Sequence, residues 1–205
     1  MHAKKIITVW TVLIVATALI TTGCLTPQNY TPVMQFTIAP DFTDLPTARS
    51  SMATLGIRRL SASQPLKRDI FYRDPDLRVG NLLDAQWAEN PADMMTRHVF
   101  DAAVASGRFH DVGLATDIPL PTFVLTGDVR RFDLDRTKVP WQAVCEIHFE
   151  LRTVSNGNAA WSDTLTSSIP LAQDEVPALA EAMSQAAAQV IHEAMGKIVK
   201  AEPNN

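Results

Sequence analysis

The chain has 205 residues and a formal net charge of −4, and 46% of its residues are hydrophobic. This length suits one ordinary globular domain with a substantial core. The acidic balance excludes the basic footprint that nucleic-acid-binding domains carry.

The first residues have the pattern of a bacterial secretory signal. Lys4 and Lys5 precede an uncharged apolar run over 6–20, and Gly23-Cys24 follows. The run is about 15 residues, shorter than the roughly 20 that a membrane-spanning helix needs. A retained transmembrane anchor is the alternative, and this length argues against it.

The Gly23-Cys24 pair resembles the lipobox of bacterial lipoproteins, although Thr21 stands where that motif usually has an aliphatic residue. The resemblance implies that Cys24 is the acylated first residue of the mature chain. Leu25 follows where many inner-membrane lipoproteins carry Asp, so sorting to the periplasmic face of the outer membrane is favoured over the inner membrane. The predicted segments are a signal peptide over 1–23, an acylated tether over 24–32, one domain over 33–200 and a disordered tail over 201–205.

The predicted mature chain carries a net charge of −6, because the signal removes Lys4 and Lys5 and no acidic residue. Once Cys24 is acylated, Cys145 has no cysteine partner for a disulfide within the chain. Stability must therefore come from packing.

Local signals are densest between Asp69 and Val112, where we expect a strand, a loop, a helix and a strand. Asn90 suits an N-cap, Pro91 the first helical position and Gly107 the left-handed residue after a helix end. These signals predict a helix from Pro91 to about Ser106. Its apolar stripe comprises Ala92, Met95, Val99, Ala102 and Ala103.

The clearest strand is 141–151, where apolar residues alternate with polar ones and the turn Asn156-Gly157 follows. A long helix from Asp174, a candidate N-cap, to about Val199 carries a continuous apolar stripe that includes Met183 and Val190. Other strands are predicted over 33–38, 53–60, 70–72, 109–114, 123–134, with a bulge at Gly127, and 160–169. We therefore predict an α+β fold of two layers, in which a mixed, mainly antiparallel sheet carries two long helices on one face.

One order of residues resembles a known family. Arg68 precedes the short strand near Ile70, the segment 87–91 (Trp-Ala-Glu-Asn-Pro) leads into a helix, and Gly107-Arg108-Phe109 closes it. This order is similar to that of the ABC-type transport auxiliary lipoproteins, which are partners of periplasm-bridging transporters with mammalian-cell-entry (MCE) domains. The resemblance implies a role and a fold, but no chemistry.

The sequence contains no catalytic constellation, and we expect neither an enzymatic function nor a cofactor or metal. His192-Glu193 begins like a zinc-protease motif, but Gly196 stands where the second His would lie. We interpret Cys145 as a small core residue. The basic pairs Arg58-Arg59 and Arg130-Arg131 are candidates for partner contact, although a solvated strand end is the preferred explanation of the first.

The leading hypothesis is a membrane-anchored accessory subunit of an ABC/MCE-type transporter that moves lipids or other hydrophobic compounds between membranes. It would be held by its lipid anchor and would dock the MCE-domain component at the outer membrane. A lipoprotein assembly factor for an envelope or secretion complex is the alternative, and self-association of the chain is left open.

Overall fold

Nine strands and two helices follow one another along the part of the chain that the computed structural model describes, residues 32–45, 51–62 and 67–201. The predicted signal peptide, Cys24, the tether up to residue 31, and residues 202–205 lie outside the described residues. In chain order the elements are β1 (Met34–Phe36), β2 (Thr54–Ile57), β3 (Ser61–Ala62), β4 (Asp69–Arg73), β5 (Val79–Trp87), α1 (Pro91–Ala105), β6 (Asp111–Leu114), β7 (Phe123–Asp135), β8 (Gln142–Thr153), β9 (Ala159–Pro170) and α2 (Val176–Ala201).

Strand β7 is the centre of the sheet. One of its edges pairs along its whole length with β8, which pairs in turn with β9, and both pairings are antiparallel. The other edge pairs with β2, β3 and β4 in succession, all parallel to β7. Beyond them β6 lies parallel to β2, β5 antiparallel to β4, and β1 parallel to β5. The sheet is therefore mixed and its longest pairings are antiparallel, as predicted.

Both helices cover one face of this sheet. Helix α2 packs on β8 and β9, and helix α1 packs on β6, β7 and α2. The apolar side of β8 faces them and is fully buried at Cys145, Ile147 and Phe149. Trp87 at the end of β5 meets Phe132 edge to face at 5.1 Å between ring centroids. The α+β fold predicted from the sequence is confirmed.

Helix α1 has the caps that its sequence predicts. The side chain of Asn90 accepts a hydrogen bond from the backbone N–H of Ala92 at 2.9 Å, and Pro91 is the first helical residue. Gly107 adopts a φ of 59°, the left-handed conformation that glycine takes without steric penalty. All five residues of its predicted apolar stripe are buried.

Three local predictions are wrong. The stretch before α1 contains a second strand, β5, which forms a hairpin with β4. The register of this pairing shifts at Ile70, and the irregularity hides the alternation of polar and apolar residues that predicts a strand. The bulge of β7 lies between Val129 and Arg131, not at Gly127. Helix α2 begins at Val176, so Asp174 lies outside it, and it runs through Ala201. Neither described helix is long and apolar enough to cross a membrane.

Candidate functional site

The sheet face opposite the helices is polar. Because side chains alternate along β8, burial of Ile147 and Phe149 against the helices turns Glu146, His148 and Glu150 to this face. There His148 Nδ1 lies 3.0 Å from the hydroxyl of Thr164 on the neighbouring strand β9. The open face thus consists of charged and hydroxyl side chains that bond to one another across the strands.

A groove with a volume of about 520 Å³ lies where β2 leaves the sheet, beside the first residues of β7. Three arginines from two separate parts of the chain border it, and we call it the arginine groove. The rest of its lining combines hydroxyl groups and small apolar side chains with one carboxylate. Its lining residues are Arg58, Arg59, Ser61, Val124, Thr126, Gly127, Glu150, Arg152, Thr153, Val154 and Gly157.

The crossing from β2 to β3 holds two of these arginines in place. The backbone N–H of Arg58 donates to the carbonyl oxygen of Leu125 at 2.9 Å, and the N–H of Leu60 donates to the hydroxyl of Thr96 on α1 at 3.0 Å. A Cβ at Gly127 would lie 3.1 Å from the Leu60 side chain, so glycine allows the crossing to pass close to β7. The backbone bearing Arg58 and Arg59 is therefore fixed on both sides.

The three arginines differ in how far their charges are already paired. Arg59 binds the carboxylate of Asp93 through Nε and Nη2, and these hydrogen bonds raise the pKa of Arg59. Arg152 contacts Glu150 at 2.5 Å and the carbonyl oxygen of Gly157 at 3.0 Å. Arg58 is exposed, and its guanidinium forms no ion pair with any residue in the described ranges. Among the described residues, Arg58 therefore has no carboxylate partner, whereas Arg59 and Arg152 are each paired with one carboxylate.

The second predicted arginine pair lies elsewhere. Arg131 is five residues beyond Thr126 along β7, and it binds Asp133 at 2.7 Å and Asp135 at 3.2 Å. Arg130 is exposed and donates to the hydroxyl of Thr164 at 3.1 Å. The structure thus groups Arg58 and Arg59 with Arg152 and keeps Arg130 and Arg131 apart from them.

The acids around Arg131 form a network with the sheet. Asp133 is buried and also accepts a hydrogen bond from Nε of Arg73 at 2.8 Å. Burial of Asp135 opposes its ionisation, but hydrogen bonds from Thr137 and Arg131 outweigh that effect and lower the pKa of Asp135. Since its charge is already paired here, Arg131 acts first as a structural residue.

Reactive side chains elsewhere have structural surroundings. Burial raises the pKa of the Cys145 thiol, which keeps this group protonated and unreactive. His192 Nε2 lies 2.6 Å from the backbone oxygen of Asp44. Within the described ranges, no group of three or more His, Cys, Asp or Glu side chains is arranged to hold a metal ion.

Sequence reasoning missed Arg152 as a member of this site. Arg152 is exposed near the end of β8, and the Asn156-Gly157 turn marks where this strand ends. The pairing of Arg152 with Val124 and of Ile57 with Leu125 then brings Arg152 to the end of β2. Only the turn signal could have pointed to this position, since parallel pairing between distant strands has no local sequence mark.

The fold and the groove define an α+β domain with an arginine-lined groove toward one end of its central strand. Residues 36–194 match the model of a family described as the ABC-type transport auxiliary lipoprotein component. The chain belongs to this family, as its sequence resemblance implied. A comparison with the curated proteins finds no match.

Solved structures show the same fold. The protein XCC0632 from Xanthomonas campestris is 25% identical with a TM-score of 0.68, over 84% of this chain and 95% of its own. An uncharacterized protein is 14% identical with a TM-score of 0.62, over 82% and 99%. The hypothetical protein CT253 from Chlamydia trachomatis is 8% identical with a TM-score of 0.53, over 72% and 96%. The last two similarities concern the fold alone.

Proposed function

We propose that this protein is the membrane-anchored accessory lipoprotein of an ABC/MCE-type transport system for lipids or other hydrophobic compounds. It docks the periplasm-spanning MCE-domain component at the outer membrane. The observation that carries the proposal is the arginine groove, a basic, partly unpaired surface on a domain of the auxiliary lipoprotein family.

The chemistry of the groove suits an acidic and polar protein segment. Arg58 is free to form a forked ion pair with a partner carboxylate, since guanidinium and carboxylate match in shape. The hydroxyl groups of Ser61 and Thr126 add hydrogen-bonding sites, and Val124 and Val154 add apolar contact. Charge at such a surface speeds association and selects the partner more than it adds affinity.

The predicted tether also requires a partner. Eight residues lie between Cys24 and Val33, and when fully extended this segment reaches about 30 Å. A domain held this close to its own membrane cannot carry a lipid across the periplasm. Transport therefore requires a component that arrives from the other membrane.

Affinity purification of the detergent-solubilised protein tests the proposal. We expect the wild type to recover an MCE-domain protein, and Arg58→Glu to reduce the recovered amount several-fold. Arg78→Glu is the matched control, because Arg78 is also exposed but lies at the tip of the β4–β5 hairpin, at the other end of the sheet. Unchanged melting temperatures would show that both variants are folded.

The other predicted pair is tested separately. Arg130→Glu changes an exposed charge, whereas Arg131→Glu would leave Asp135 without its cation and Asp133 with Arg73 alone, so it is not a clean probe. If Arg130→Glu alone abolished recovery of the partner, the docking site would lie at the middle of β7 and not at the arginine groove. Recovery of envelope or secretion proteins without any transporter component would favour the assembly-factor alternative.

A further inference from the structure

The end of the sheet opposite the arginine groove carries two loops side by side. Arg73 pairs with Asp135, and the N–H of Arg136 donates to the carbonyl oxygen of Arg73 at 2.9 Å. The β4–β5 hairpin and the β7–β8 loop therefore project together. Leu77 at the tip of the first is 93% exposed, and Val139 in the second is 94% exposed.

Further exposed apolar side chains lie along the two strands at this edge of the sheet. Val79 and Leu83 on β5 are 50% and 86% exposed, and Met34 on the edge strand β1 is 49% exposed. Large exposed apolar surfaces are typical of sites that meet a membrane or a partner. We call this set, Met34, Leu77, Val79, Leu83 and Val139, the apolar tip.

Charges at the apolar tip largely cancel. Arg78 binds Asp76 at 2.6 Å, and Lys138 lies in the same pair of loops as Asp74. The guanidinium of Arg136 stacks between the rings of Tyr72 and Trp141, 4.0 and 4.5 Å from their centroids. A ligand of this surface is therefore selected by its apolar character and not by charge.

The chain enters the domain at this end. Strand β1 runs parallel to β5 with Met34 beside Ala85, so β1 begins on the side of the β4–β5 hairpin. Strand β4 lies between β5 and β7 and aligns the two. Its Asp69 pairs with Gln86 of β5, and its Phe71 pairs with Asp133 of β7. The start of β1 therefore lies about level with Phe132 of β7. The loops that carry Leu77 and Val139 begin only a few residues beyond that level, after Arg73 and Asp135.

The opposite end lies much further from the entry. From Phe132 back to Phe123 the strand covers about 30 Å, which equals the full reach of the predicted tether. The loop with Leu120, which is 87% exposed, lies beyond Phe123. A tether of this length brings the apolar tip to the membrane easily, and the loops at the groove end only when stretched completely.

We propose that the apolar tip inserts into the surface of the lipid bilayer that carries the anchor. The inference rests on acylation of Cys24, as the proposed function does. Leu77 and Val139 lie among the lipid head groups and upper acyl chains, as the apolar side of an interfacial segment does. The arginine groove lies about 30 Å back along β7, from Asp135 to Thr126, and is then turned from the membrane toward a partner.

Depth-dependent fluorescence quenching tests this orientation. The full-length protein is purified from membranes as Leu77→Cys, Val139→Cys and Leu120→Cys variants, labelled with a polarity-sensitive dye and reconstituted into phosphatidylethanolamine and phosphatidylglycerol vesicles containing brominated lipids. Cys145 is buried and acylated Cys24 has no free thiol, so the wild type serves as the unlabelled blank. Leu120→Cys is the control, since Leu120 is nearly as exposed as Leu77.

We expect quenching at the Leu77→Cys and Val139→Cys positions to exceed that at Leu120→Cys several-fold, and to persist in high salt. Equal quenching at all three positions, or strong quenching at Leu120→Cys alone, would overturn the proposal. Labelling of the wild type would show a free Cys24 and overturn it as well. The quenching assay contains no partner protein. Its result therefore does not depend on whether affinity purification recovers an MCE-domain protein.

Discussion

Thr96, in the second turn of helix α1, accepts a hydrogen bond from the backbone N–H of Leu60 at 3.0 Å and donates one to the carbonyl oxygen of Ala92 at 2.6 Å. This buried hydroxyl joins the helix to the segment that carries Arg58 and Arg59. Thr96→Val would leave the N–H of Leu60 without a partner in a buried position. We expect a loss of about 1–3 kcal/mol in the free energy of unfolding, measured by urea denaturation. Thr96→Ser keeps the hydroxyl, and a loss as large as that of Thr96→Val would show that the hydrogen bond is not the cause.

Gly127 and Gly196 should respond to alanine in opposite directions. A Cβ at Gly127 would lie 3.1 Å from Leu60, 3.2 Å from Phe149 and 3.3 Å from the backbone oxygen of His148. Gly127→Ala should therefore destabilise the domain by about 1–3 kcal/mol through overpacking. Gly196 lies in helix α2 with nothing within 4 Å of its Cβ position, so Gly196→Ala should stabilise by about 0.4–1 kcal/mol. Thermal melting of both variants checks the two signs, and a stabilising Gly127→Ala would contradict the close approach.

Helix α2 docks through a stripe that includes Met183. Its side chain is fully buried, whereas Gln185 two residues later is exposed. Met183→Asp would bury an unpaired carboxylate, and we expect it to cost about 4 kcal/mol, a large part of a typical domain stability. Gln185→Asp should change little. Similar denaturation midpoints for the two variants would mean that the helix is not docked by this stripe.

His98 should make stability depend on pH. Burial lowers the pKa of His98 below its usual 6.5, and the charge of Arg97 adds to this effect, while the carboxylates of Asp101 and Glu89 and a hydrogen bond with Ile38 oppose it. The unfolded chain therefore binds the proton more readily than the folded one. Stability from this group is fully present above about pH 6.5 and is lost as the pH falls from there toward the folded pKa.

Urea denaturation between about pH 7.5 and pH 5.5 checks the expected sign. Comparison with His98→Gln isolates the contribution of this imidazole from that of other titrating groups. The wild type should lose more stability on acidification than the variant does. Parallel pH profiles of the two proteins would show that His98 does not titrate differently in the folded state.

Cys24 is predicted to be the site of acylation, from the uncharged run that ends at Gly23. Cys24→Ser should abolish metabolic labelling with a fatty acid and release the protein from the membrane fraction. Intact-mass measurement checks the loss of the acyl chains, and Cys145→Ser controls for the other cysteine. Identical masses and fractionation for the wild type and Cys24→Ser would refute the lipoprotein anchor.

Interactions between residues close together in the sequence determined both ends of helix α1 and the buried faces of the main elements. The caps at Asn90 and Gly107 define the ends of helix α1 because capping depends only on adjacent residues. The alternation along β8 and the stripe that holds Met183 in helix α2 reveal their buried faces, because each follows the period of its own element. The order of these elements also carried the resemblance to the family that the comparison confirms.

Only the tertiary structure decided which arginines meet. The parallel pairing of β2 with β7 joins residues almost seventy positions apart, and no local signal sets its register. That pairing brings Arg58 to Arg152, while the bulge at Arg130 turns Arg131 to the same side as Asp133 and Asp135. The irregular register of β5 likewise hid a strand whose pairing with β1 sets where the chain enters. Site geometry here follows from non-local strand pairing, which depends on the packed sheet as a whole and not on the residues of any one segment.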